Sequence, residues 1–162
     1  MHAQNTRRWI VVGPGRLSAA QHQRLAGIVQ ALLAPGGRLV VGDRCGSDAT
    51  VILAALDAGL GARLTVCLSR HCDQATQTIQ LARQAGACVL RPGENPPPCV
   101  AEKTLLLVSD GTALPARETL PTQGALYAAN LDRDPLPAHW HPTPVRDRCL
   151  ARVGVFRIGC IR

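Results

Sequence analysis

Short apolar runs that break into glycine-bounded turns and continue as helical patterns recur along this chain, and they restrict it to a strand-turn-helix architecture. The clearest is Leu39-Val40-Val41-Gly42-Asp43-Arg44-Cys45-Gly46-Ser47-Asp48-Ala49. Gly42 and Gly46 remove Cβ atoms where a ligand would press on the backbone, and Ser47 and Asp48 fall where a helix start presents unpaired N–H groups. This is the sequence form of a strand-to-helix phosphate or nucleotide cradle.

The same unit repeats on both sides of it. Residues 8–12 read as a buried strand, Gly13-Pro14-Gly15-Arg16 as its exit turn, and Ser18 as an N-cap. Leu25, Ile28, Val29, Leu32 and Leu33 recur at helical spacing over residues 19–33, which Pro35-Gly36-Gly37 ends. A second strand at 38–41 leads through the cradle into a helix at 48–58, stopped by Gly59. A third strand is expected at 63–68, a third helix at 72–84 closed by Gly86, a short fourth strand at 87–90 and a fifth at 104–108. Pro92, Gly93, Pro96, Pro97 and Pro98 make residues 91–99 a loop that crosses the sheet edge. Strands separated by helices imply a parallel sheet with right-handed crossovers. The fold class is therefore α/β: a three-layer, Rossmann-like, doubly wound and mostly parallel sheet with helices on both faces. Prolines interrupt residues 113–162, where a last helix at 123–130 and a late strand at 151–158 are expected.

At 162 residues the chain reads as a single domain, with no low-complexity linker. Trp9, Tyr127, Trp140 and Phe156 are its aromatic residues, so the core must be built from Val, Leu, Ile and Ala. The formal charge of +7 comes mainly from arginine, Lys103 being the single lysine. Basicity favours anionic partners without choosing among nucleotide, nucleic acid and acidic protein. Neither a signal peptide nor a run of membrane-spanning length is visible. Seven cysteines without a Cys-x-x-Cys pair point to reduced thiols in a cytoplasmic protein. His71-Cys72-Asp73 lacks the spaced further ligands of a tetrahedral metal site, so no metal is expected.

Ligands of open parallel sheets collect outside the carboxyl ends of the strands, where chain order reverses. Three turns are expected on that edge: Gly13 to Arg16, Gly42 to Asp48, and Ser109-Asp110-Gly111-Thr112. Gly13, Gly15, Arg16, Gly42, Arg44, Gly46, Ser47, Asp48, Gly111 and Thr112 are accordingly the ligand-binding candidates. The arginines supply guanidinium forks for phosphate oxygens, as does Arg70. The first turn lacks the third glycine of a dinucleotide fingerprint, and no lysine follows a glycine-rich loop as in a Walker A motif. A standard NAD site and ordinary ATP or GTP hydrolysis are thereby disfavoured, and no cofactor is expected.

The spacing of Gly42, Gly46 and Asp48 after an apolar strand and before an alanine-bearing helix resembles the SLOG superfamily. That group includes DprA, the lonely-guy phosphoribohydrolases and small stand-alone YspA-like proteins, and the YspA-like members are the nearest in this motif. The resemblance runs from Trp9 to Thr112 and implies a Rossmann-like fold that binds nucleotides or nucleotide-derived ligands. The chain departs from the lonely-guy Pro-Gly-Gly-x-Gly-Thr-x-x-Glu motif. Here Asp110-Gly111-Thr112 is followed by Ala113-Leu114-Pro115, with no glutamate at the matching offset. A carboxylate near the ribose stabilises an oxocarbenium-like centre or activates water. Asp48 and Asp110 are the substitutes for that role.

The sequence thus favours a nucleotide-binding or sensing domain, with phosphate near Gly46 to Asp48, ribose or base near Gly13 to Arg16, and Gly111-Thr112 bounding the far side. N-glycosidic bond hydrolysis through Asp48 or Asp110 is the alternative reading. Single-stranded DNA binding is a third, with few aromatics to stack bases. A homodimer through exposed helices is compatible with the fold class.

Overall fold

The computed structural model describes residues 7–70, 76–96, 101–110, 125–133 and 143–145. The chain alternates as expected through β1 (Arg7–Val12), α1 (Ala19–Leu33), β2 (Arg38–Val41), α2 (Ser47–Asp57), β3 (Leu64–Cys67), α3 (Gln77–Gln84) and β4 (Cys88–Leu90). It continues with β5 (Ala101–Val108), β6 (Ala125–Asn130) and the short β7 (Thr143–Pro144). The sheet order is β4-β3-β2-β1-β5-β6-β7. Every pairing is parallel except that of β7 with β6. This is an α/β, Rossmann-like, mostly parallel sheet, and the three described α-helices pack on one of its faces. Chain order reverses between β1 and β5, which puts the switch point at the centre.

Local chemistry fixes the first helix. Ser18 Oγ accepts the backbone N–H of Gln21 at 3.2 Å, and Gln21 Oε1 accepts that of Ser18 at 2.8 Å, a reciprocal capping box. The five apolar positions that set the periodicity, Leu25, Ile28, Val29, Leu32 and Leu33, are all buried.

The core lies between this face of the sheet and the helices. Trp9, Val11, Leu39, Val41, Leu64, Val66, Leu105 and Leu107 cluster with the buried residues of α1, α2 and α3. At the amino-terminal end of the same face, Trp9 and Tyr127 meet edge to face at 5.3 Å, and Lys103 Nζ lies 5.5 and 5.2 Å from the two ring centroids. Side chains alternate along a strand, so Arg8, Ile10, Val12, Val40, Cys67 and Glu102 point to the opposite face. On that face Leu106, Val108, Leu126, Ala128 and Val145 form a second, smaller cluster.

Two expectations need correction. The helix anticipated over 123–130 is instead β6, paired with β5 from Lys103↔Ala125 to Val108↔Asn130. Its alanines favour a helix in isolation, but Leu126 and Ala128 pack on one face and Ala129 on the other, and burial on both sides overrides propensity. The fifth strand also begins at Ala101, before the expected Thr104: its ladder with β1 extends back to Arg7↔Ala101, and the Glu102 carboxylate there pairs with Arg8 on the neighbouring strand. Residues 72–75 of the third helix and the strand expected at 151–158 lie outside the described residues.

Leu105 is fully buried at the centre of the sheet, between β1 and β6. Leu105→Ala is expected to lower the unfolding free energy by about 2–5 kcal/mol, read from denaturant titration with an unchanged slope.

Candidate functional site

The turns after β2, β1 and β5 emerge side by side, because those strands are neighbours and parallel. The first two interlock. The Ser47 N–H, at the start of α2, donates to the Pro14 carbonyl at 3.1 Å. Gly46 adopts φ +81°, and a Cβ there would lie 2.3 Å from the Gly15 carbonyl carbon. At Gly13 an added Cβ would meet Ser47 Oγ at 2.7 Å. A Cβ at Gly42 would meet Asp48 Oδ2 at 2.8 Å. These three glycines serve contacts within the chain, and the Ser47 donor expected to be open has a partner. Beside them, Asp43 Oδ2 accepts the Ser69 N–H at 2.8 Å and the Ser69 hydroxyl at 3.1 Å, tying the β2 turn to the end of β3.

A cleft of about 770 Å³ opens on the sheet face that carries Ile10, Val12 and Val40, within the size range of small-molecule sites. Gly13, Gly42, Arg44 and Asp48 form its wall at the carboxyl end of the strands. The Arg8–Glu102 ion pair lines it toward the amino ends of β1 and β5, Cys67 lines it at the end of β3, and Glu94, Asn95 and Pro96 supply a rim. The rim comes from the connection that leaves edge strand β4 and returns to β5 beside β1.

Asp48 is the chemically distinctive group. It is only 9% exposed, and its carboxylate accepts the Arg44 N–H at 3.2 Å. Burial pushes its pKa up, outweighing the pull of the Arg44 backbone hydrogen bond and guanidinium. The Cys67 thiol is likewise pushed up, chiefly by burial, with the neighbouring Cys88 adding to it. It therefore stays a thiol at neutral pH and is a poor nucleophile.

Of the residues singled out from sequence, Gly13, Gly42, Arg44 and Asp48 meet in the cleft. Gly46 and Ser47 form the interlock behind it, while Gly15 and Arg16 lie exposed on the first turn. Asp110 is held elsewhere. Its carboxylate pairs with Arg133 at 2.9 Å and its N–H donates to Asp132 at 2.8 Å, and it does not line the cleft. Gly111, Thr112 and His71-Cys72-Asp73 lie outside the described residues. Among the described residues, no three His, Cys, Asp or Glu side chains group to hold a metal.

Sequence reasoning missed Arg8, Cys67, Glu102 and the 94–96 rim. A charge at the start of each of two apolar strands was the available signal for Arg8 and Glu102, but their pairing needs the β1–β5 register.

The chain matches no family model, no curated protein and no solved structure. Among the described residues no helix is long and apolar enough to cross a membrane.

Gly46→Ala is expected to cost about 2 kcal/mol or more, from left-handed strain and the clash with Gly15. Gly15→Ala, whose Cβ would enter open space, is expected to stay within about 0.5 kcal/mol in the same denaturation assay. Folding raises the Asp48 pKa, so the native state holds that proton more tightly than the unfolded chain, and the carboxyl destabilises the fold as pH rises through the raised value. Asp48→Asn is therefore expected to be more stable than the parent at neutral pH. The gap should close as pH falls below about 4, tracked by denaturant midpoints across pH.

Proposed function

We propose that this chain is a SLOG-like domain that binds and senses a nucleotide or nucleotide-derived ligand in the cleft. The observation that carries the reading is the cleft's position: it lies on the sheet face over β1 and β2, next to the switch point between β1 and β5, and is walled by the turns that leave β1 and β2. The apolar floor of Ile10, Val12 and Val40 suits the flat face of a base. Arg44, exposed at the wall, suits an anionic group. Binding alters association or a partner, and no bond is broken.

One observation favours a second reading, hydrolysis of an N-glycosidic bond. A buried carboxyl with a raised pKa inside a cleft is the form a general acid takes, and Asp48 would protonate the departing base. Asp110, engaged with Arg133, offers no such group to the cleft. Single-stranded DNA binding draws less support, because among the described residues the lining contains no aromatic side chain and sets three carboxylates against two arginines.

Thermal-shift measurement over a panel of ribonucleosides and nucleotides, with chromatographic analysis of the products, separates these readings. Stabilisation of several degrees without turnover is the expected result. Release of free base establishes the enzyme. No shift with any nucleotide, together with a salt-dependent shift on single-stranded DNA, refutes the leading reading.

A further inference from the structure

The wall of the cleft is built around an anion of its own. A phosphate cradle at a strand-to-helix turn works by offering N–H groups and empty space to the ligand's oxygens. Here the Ser47 N–H is spent on the Pro14 carbonyl. The space over Gly42 is occupied by the Asp48 carboxylate, whose Oδ2 would stand 2.8 Å from a Cβ at that glycine and accepts the Arg44 N–H at 3.2 Å. The position where a ligand phosphate would sit is filled from within.

The charges around the cleft point the same way. Arg8 is committed to Glu102 through its guanidinium, with Nε donating to Oε2 at 2.8 Å. The remaining charged groups among the described lining residues are Arg44, Asp48 and Glu94, so the described lining is not cationic overall. A phosphate pressed against Asp48 meets a buried like charge, whereas an uncharged hydroxyl or amine finds a strong acceptor there. Arg44, unlike Asp48, is exposed.

We infer that Asp48 sets the orientation and class of the ligand: an uncharged, hydrogen-bond-donating end enters against its carboxylate, and any phosphate stays outside toward Arg44. This rests on the nucleotide-binding reading above and reverses the arrangement expected from sequence, which put phosphate at Gly46 to Asp48. The donor is either the sugar diol or the amine edge of a base. These share the chemistry and are separated by the ligands tested.

The test is calorimetric titration of the full chain and of Asp48→Asn at pH 7.5. The ligands are the common ribonucleosides, their 2′-deoxy forms, their 5′-monophosphates and inorganic pyrophosphate. The native protein is expected to bind at least one ribonucleoside with an affinity within about tenfold of its monophosphate, and pyrophosphate not measurably. In D48N the nucleoside is expected to weaken at least about tenfold, the loss of a hydrogen bond to a charged group, while pyrophosphate binding becomes measurable. Loss of affinity on removing the 2′-hydroxyl assigns the diol to Asp48, and unchanged affinity assigns the base edge. Pyrophosphate binding to the native protein, or nucleoside binding unaffected in D48N, overturns the inference while leaving nucleotide binding standing. Binding of no nucleoside or nucleotide to the native protein removes both. The comparison on the native protein decides the case should D48N fail to fold.

Discussion

Everything at the ligand edge depends on the contact between two backbones, Gly46 against the Pro14–Gly15 peptide. The Ser47 N–H to Pro14 carbonyl bond holds them together, and the left-handed Gly46 lets them approach. This contact sets where α2 begins, and so where Asp48 stands on its first turn. It also fixes the exit of β1 relative to that of β2, which together wall the cleft. A glycine conserves no side-chain chemistry of its own; here its contribution is the distance it permits.

The sheet divides the labour between its faces. One carries the packed core with α1, α2 and α3, where Val, Leu, Ile and Ala do most of the filling and Trp9 and Tyr127 close one end. The other carries the cleft, with an aliphatic floor and charged groups near its ends. Because alternate residues of the same strands serve the two faces, Trp9 and Val11 hold the core while Ile10 and Val12 face the cleft. Stability and recognition are interleaved residue by residue.

Most of the first half of the fold was legible, since each unit there is written locally: the capped start at Ser18, the i, i+3, i+4 apolar spacing of α1, and the glycine turns that follow short apolar runs. What was not legible depends on partners distant in sequence. β6 has an alanine-rich composition that suits a helix, and only its pairing with β5 and burial on two faces make it a strand. The site followed the same division. Gly13, Gly42, Arg44 and Asp48 were visible as turn residues, yet whether their free groups faced a ligand or one another required the turns to be docked. Arg8 and Glu102 meet across 94 positions, beyond the reach of any local pattern.

The rim at residues 94–96 belongs to the connection that carries the chain from the sheet's edge back to its centre. That passage lets β5 pair with β1, so the strand partners farthest apart in sequence come together through the same segment that borders the cleft. Non-local pairing of this kind pays its chain entropy before its contacts reward it, which slows folding. The pocket is consequently a product of completed topology: a chain lengthening from its amino terminus has the Gly13 and Gly42 turns early, but it encloses no cleft until β5 is made.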